Sequence, residues 1–236
     1  MDKDINLING DCLNIMGGIT DNSIDLIVTD VPYKTTARGN AGNSGGMLQK
    51  KINMRGQVFA HNNISPKDYL PEFFRVLKES GHCYIMTNHK NLQEMLNVAT
   101  ECGFKFIKSL IWKKDNKIMG QYYMSQFEYI LFFRKGKGVK INHCGTSDIL
   151  DVPNKKTKDE NGKNLHDTEK PVKLMEILID DMKDTNEMIS WWIYETNFGK
   201  ENNKIYNEDE TVYKTISTAE DLYNYLKESC DEESIG

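Results

Sequence analysis

Apolar runs of strand length alternate with stretches of helical spacing along the first three quarters of the chain, and this alternation constrains the fold more than any other feature. Residues 4–8 and 24–29 read as strands. Residues 67–79 place Tyr69, Phe73, Val76 and Leu77 at helical spacing, with Ser65 as cap, Pro66 in the first turn and Gly81 closing the helix. Residues 82–88 (HCYIMTN) are a buried strand, and residues 90–102 a second helix with Leu92, Met95, Leu96 and Ala99 on one face, ended by Gly103. Two further strands, 104–112 and 126–135, are separated by about a dozen residues and suit an antiparallel pair. Residues 169–181 form a helix with Pro171 early and Leu174, Ile177 and Leu178 on its apolar face. Strands that alternate with helices and end in a long hairpin predict a three-layer α/β fold, its Rossmann-like sheet mostly parallel with an antiparallel hairpin.

The strand at 24–29 ends in Asp30, Pro32 and Tyr33. Asp and Pro are common in turns. Ligands in open α/β sheets, however, bind beyond the carboxyl ends of the strands, which makes this tip a candidate site. The segment 35–66 is a long loop around GNAGNSGG; it lacks the Gly-Lys-Ser/Thr ending of a phosphate cradle. The five cysteines (Cys12, Cys83, Cys102, Cys144, Cys230) are scattered without metal-ligand spacing. They read as reduced thiols of a cytoplasmic protein, and no metal site is expected. No run approaches the roughly 18 apolar residues of a membrane span, and MDKDINLING holds no apolar signal core.

The net charge of −5 conceals a division: residues 1–179 hold 25 Lys and Arg against 20 Asp and Glu, residues 180–236 only 5 against 15. The division predicts two modules, 1–181 and an acidic 182–236. Within 113–173, 13 basic residues face 8 acidic ones, and 136–168 is polar and basic with little periodicity. Lys113, Lys114, Tyr122, Lys155, Lys156 and Lys158 are the candidates for contact with a phosphate-bearing partner, suited to phosphates and base edges. The tail reads as a helix at 186–196, a strand at 211–216 and a helix at 219–228, a small α+β module. Trp191, Trp192, Ile193 and Tyr194 are too much apolar surface to leave in water.

Six blocks in one order, INGDCLNIM, DNSIDLIVTDVPY, FRVLKESGHCYIMTN, SLIWKK, SQFEYILFFRKGK and HDTEKPVKLMEILI, carry a resemblance. The chain resembles the beta group of DNA amino-methyltransferases, which methylate adenine N6 or cytosine N4, over roughly residues 5–180. The resemblance implies a Rossmann-like methyltransferase sheet, S-adenosylmethionine as cofactor and DNA as partner. It places Asp30-Val31-Pro32-Tyr33 where the family has Asp-Pro-Pro-Tyr, so Asp30, Pro32 and Tyr33 are the implied catalytic residues. Tyr33 would stack on a flipped base, Asp30 would accept from the exocyclic amine, and the Val31 carbonyl would take the second proton. Asp at the first position implies adenine. The resemblance assigns Asp11 to the adenine end of the cofactor and Thr168, Lys170 and Pro171 to its methionine end.

One family block is missing. After the last helix the family has a strand ending in Asp-Pro-Phe-x-Gly-x-Gly; here the residues are DDMKDTNEMISWWIYETNFGKENN, whose one glycine is Gly199. The sheet is therefore expected to be incomplete, with an exposed edge covered by the tail, a second copy of the chain or another protein. Two functions follow: an adenine-N6 methyltransferase, or a degenerate relative that binds DNA or a protein partner, as an inhibitor or antirestriction factor would. The missing block weighs against cofactor binding by this chain alone.

Overall fold

Side chains at odd and even positions of the central strands point to opposite faces, and both faces are covered. The computed structural model describes residues 8, 10–32, 64–118, 122–158, 160–162, 164 and 169–181 in full, and the backbone alone at 188–191, 204–206 and 212–215. Described residues within 12–155 and 170–193 form one compact unit, and those within 1–11, 156–169 and 194–236 another.

The first unit holds strands β1 (Ile24–Asp30), β2 (Leu77–Thr87), β3 (Lys105–Ile118), β4 (Ser125–Arg134), β5 (Ile149–Asp151) and β6 (Met188–Trp191). Its helices are α1 (Cys12–Met16), α2 (Pro66–Val76), α3 (Leu92–Glu101) and α4 (Val172–Asp180). The six strands form one sheet in the order β5-β3-β4-β2-β1-β6. β1 runs parallel to β2 and β6, β3 parallel to β5, and β4 antiparallel to both β2 and β3. The mixed sheet with its hairpin is the expected architecture.

On one face Ile27, Cys83, Ile85, Leu131 and Phe133 pack against Met16 of α1, Tyr69, Leu70 and Phe73 of α2, and Met95 and Ala99 of α3. On the other, Leu26, Val28, Tyr84, Met86, Trp112 and Ile130 pack against Leu174, Met175 and Leu178 of α4. Three layers result, as the alternation requires. The helix ends are local chemistry. Ser65 caps α2 in a box with Asp68, and Pro66 opens the helix. Gly103 follows α3 with φ +100, a conformation that favours glycine, and a Cβ there would stand 3.0 Å from the Phe74 ring.

Three expectations are corrected. Gly81 does not close α2: the helix ends at Val76, and β2 begins at once at Leu77. Ile24 pairs with Leu77 and Leu26 with His82, so residues 78–81 form a bulge. Ser80 there has φ +71, and Lys135 Nζ donates to the carbonyls of Phe74 and Leu77 beneath the junction. Second, the basic stretch 136–168 supplies a short strand, β5, which Trp112 ties in by donating its indole N–H to Val152 O at 2.8 Å. Third, the helix expected at 186–196 is contradicted at its described residues, 188–191. Their backbone is strand β6, pairing Leu26 with Met188 and Thr29 with Trp191. A continuous apolar run rich in aromatic and β-branched residues is what a parallel strand requires. The edge of β1 that the missing block would leave open is thus paired by residues of the tail.

In the second unit, β7 (Lys204–Tyr206) pairs antiparallel with β8 (Val212–Thr215), in agreement with the strand expected at 211–216. The expectations at 4–7, 35–63 and 219–228 lie outside the described residues.

Candidate active site

Asp30 is the last residue of β1, at the carboxyl end of the sheet's parallel strands. Its Cα partner in β2 is Met86, and the next β2 residue, Thr87, pairs with Tyr129 of β4. β4 runs the other way, so its start lies at this same end and brings Glu128 there. Glu128 pairs across the hairpin with Trp112 of β3, and Lys114 follows on the same face as Trp112, its ammonium 4.5 Å from the indole centroid. Lys170 enters from the segment that leads into α4.

These four charges form one cluster on the α4 face of the sheet. Lys170 Nζ donates to Asp30 Oδ2 at 2.6 Å and stands 3.6 Å from Glu128 Oε2. Lys114 Nζ donates to Glu128 Oε1. The side chains of Lys170 and Lys114 are 5% and 6% exposed, those of Asp30 and Glu128 19% and 20%. Two carboxylates and two ammonium ions balance, which is what makes such burial tolerable. Burial pushes the Asp30 carboxyl above the usual carboxylate range; Lys170 opposes the rise and the Glu128 charge adds to it. Burial also pushes Glu128 upward, but the ammonium groups of Lys170 and Lys114 outweigh it and hold this carboxyl below its usual range. Two adjacent acids are thereby driven apart in acidity, a pattern typical of reaction sites.

Three buried side-chain oxygens at this end of the sheet lack a hydrogen-bond partner among the described residues. Asp30 Oδ1 is buried with no hydrogen-bond partner among the described residues, although its sister oxygen is held by Lys170. Glu128 Oε2 and Thr87 Oγ1 are buried in the same condition. Buried polar atoms are rarely orphaned, and one at a strand tip is a place for a donor from outside. Val31 is buried beside it and Pro32 half-buried.

Tyr33 and Thr168 lie outside the described residues. Asp11 is exposed and belongs to the second unit. Pro171 is the N-cap of α4 and makes no side-chain cap hydrogen bond. Tyr122 is 87% exposed. Lys113, also exposed, pairs with Asp151. Lys155 and Lys158 are exposed and Lys156 half-buried, Lys155 in the first unit and the other two in the second. Lys114 differs from the expectation of a DNA-facing lysine: it is committed to Glu128 inside the cluster. Glu128 itself was not singled out in the sequence. Its signal is a lone acid inside the apolar strand QFEYILFF.

The family model described as DNA methylase, of the N6- and N4-methyltransferase group, matches residues 24–190, which include Asp30, Glu128, Lys170 and much of β6. The chain belongs to that family. Among curated proteins it is 26% identical over 198 residues to the type II methyltransferase M2.MboI of Moraxella bovis, covering 75% of this chain and 71% of that one. It is 24% identical over 206 residues to the type II methyltransferase M.HinfI of Haemophilus influenzae, covering 78% of this chain but only 57% of the relative. Two solved structures share the fold. The cytosine-N4-specific PvuII DNA methyltransferase gives a TM-score of 0.51 at 15% identity, covering 77% of this chain and 71% of that chain. A Thermus thermophilus protein complexed with S-adenosyl-L-methionine gives 0.50 at 18%, covering 78% and 76%.

Proposed function

We propose that this chain transfers a methyl group from S-adenosylmethionine to adenine N6 in DNA, with the target base turned out of the duplex. The observation that supports the reading best is the buried, unpartnered Oδ1 of Asp30 at the tip of β1. An exocyclic amine has two protons to give. Asp30 Oδ1 accepts one, and the carbonyl of Val31, the next residue, accepts the other. Both bonds rotate the nitrogen lone pair out of the ring plane and aim it at the methyl donor. This is catalysis by position and fixed charge, without a covalent enzyme intermediate. The proton released from the methylated amine passes to Oδ1, whose acidity burial has already weakened.

The residues at the start of α4 fit a cofactor with a carboxylate. Pro171 offers no capping side chain, and a helix N-terminus without one suits an anion. Lys170 and Pro171 are the residues of the first unit proposed to hold the cofactor, which when bound supplies a sulfonium methyl group. Tyr33 is the proposed stacking partner of the turned-out base, such stacking contributing about 1–3 kcal/mol. The phosphate backbone is assigned to Lys113, Lys155, Lys156 and Lys158, with Tyr122 at the hairpin tip. The restriction-modification context of the type II relatives is proposed for this chain on the same footing.

The test is incorporation of tritiated methyl groups into DNA by the full chain and by Asp30→Ala. Incorporation by the wild type that disappears in the variant, with an unchanged circular-dichroism spectrum, supports the role. Equal incorporation by both overturns it.

A further inference from the structure

We infer that Glu128, through Lys170, is a positioning residue for methyl transfer: it holds the Lys170 ammonium on Oδ2 of Asp30 and so keeps Oδ1 open for the amine. The inference rests on the proposed function and adds to it a residue on a different strand.

The geometry carries the argument. Lys170 Nζ stands 2.6 Å from Asp30 Oδ2, while Oδ1 has no hydrogen-bond partner among the described residues. An ammonium is a compact point charge with rotatable donors, and nothing in its own shape selects one carboxylate oxygen. Glu128 draws the same nitrogen from another direction, its Oε2 3.6 Å away. Glu128 is in turn fixed by Lys114 at Oε1 and by its place in the β4 register opposite Trp112. Lys114 is steadied over the indole of Trp112. The chain of contacts runs from a core tryptophan to the reacting acceptor, and every member is at least four-fifths buried. Among the described residues, the ionisable groups acting on Asp30 are Lys170, Glu128 and Lys114.

Glu128→Gln is nearly isosteric and removes only the counter-charge. Lys170 then moves onto both oxygens of Asp30 and competes with the amine. Methyl transfer at neutral pH should fall about 10- to 100-fold, as for other small misplacements of a reacting group. At the same time a negative neighbour of Asp30 is lost, so its titration moves to lower pH, by about one unit. Loss of the Glu128 charge moves the titration by itself; the positioning role is read from the rate on the pH plateau where Asp30 is ionised in both proteins, which falls only if Lys170 is misplaced. Lys170→Met should move the titration the other way.

The experiment has two arms. In the first, the Asp30 carboxyl is titrated by carbon-13 NMR in the full chain without cofactor or DNA, its signal assigned by its loss in Asp30→Asn. In the second, the pH profile of methyl incorporation is recorded for wild type and Glu128→Gln. A downward move of the carboxyl titration and of the acid limb, with reduced rate, supports the inference. An unmoved titration, or a moved titration with an undiminished rate on the pH plateau, overturns it. A chain that does not methylate DNA at all defeats the proposed function, while a shifted carboxyl in that chain still establishes the contact network. Should Glu128→Gln fail to fold, Glu128→Gln with Lys114→Met restores charge balance, and the same two readouts apply to it.

Discussion

Lys170→Met is the perturbation whose cost the cluster makes most specific. The ammonium is 5% exposed and is the only hydrogen-bond donor to Asp30 that the described residues show, while Glu128 retains Lys114. Removing one partner of a buried pair typically costs about 3–5 kcal/mol, because a charge is left without compensation. Asp30 keeps 19% exposure, so the lower end, about 3 kcal/mol, is expected at pH 8. The carboxyl can escape that cost by taking up a proton. Its acidity in the folded state is already weakened, and loss of Lys170 weakens it further. Between the wild-type and variant midpoints the folded variant binds more protons than the folded wild type. The stability difference therefore grows as pH rises through those midpoints, by up to about 1.4 kcal/mol per pH unit, and is smaller at pH 5 than at pH 8. Urea unfolding of both proteins at pH 5 and pH 8 measures it. An equal loss at the two pH values, or one under about 1 kcal/mol at pH 8, refutes the reasoning.

Other expectations follow from the same contacts. His82 is buried against Phe132, and burial with Arg134 nearby lowers its pKa from 6.5 to about 4. The unfolded chain thus binds the extra proton first as pH falls from 6.5 towards 4, and roughly 2–3 kcal/mol of stability should be lost there and not in His82→Gln, as read by thermal unfolding. DNA affinity should fall steeply with salt, with a slope near 0.9 per phosphate contacted, and charge reversal at Lys155, Lys156 and Lys158 should reduce both affinity and slope; an affinity indifferent to salt removes the electrostatic interface. Calorimetric titration with S-adenosylmethionine should show binding by the full chain even without the glycine block, and no detectable heat would assign the cofactor to another subunit. Expressing residues 1–181 removes β6 and bares the edge of β1, so that fragment should aggregate or melt early; a soluble monomer with an unchanged transition contradicts this.

Much of the architecture was legible because it follows from periodicity. The strand at 24–29, the helix at 90–102 and the hairpin strands alternate as their burial demands. What periodicity does not carry was missed. The passage from α2 straight into β2 has no punctuation at Leu77, since both elements bury that residue. β5 is three residues long, too short to show a period. The run at 188–194 is apolar on all sides, and such a run reads equally as a buried helix or a parallel strand until a partner edge decides. The site shows the same boundary. Asp30 was visible because it ends a strand beside Pro32. Glu128 was not, because its meaning depends on an antiparallel partner that brings it within reach of Lys170, 42 positions further on. Lys114 looked like one more surface cation; only the burial of its strand position shows that it serves Glu128.

The most direct measurement is the identity of the methylated base. Unmethylated DNA is incubated with the full chain and S-adenosylmethionine, digested to nucleosides and separated by liquid chromatography with mass detection. Asp at the first position of the Asp30-Val31-Pro32-Tyr33 motif, by its resemblance to the family's adenine enzymes, predicts N6-methyldeoxyadenosine, absent with Asp30→Ala. N4-methyldeoxycytidine would contradict the assignment of adenine, and unmodified DNA from a chain shown to bind the cofactor would contradict methyl transfer itself.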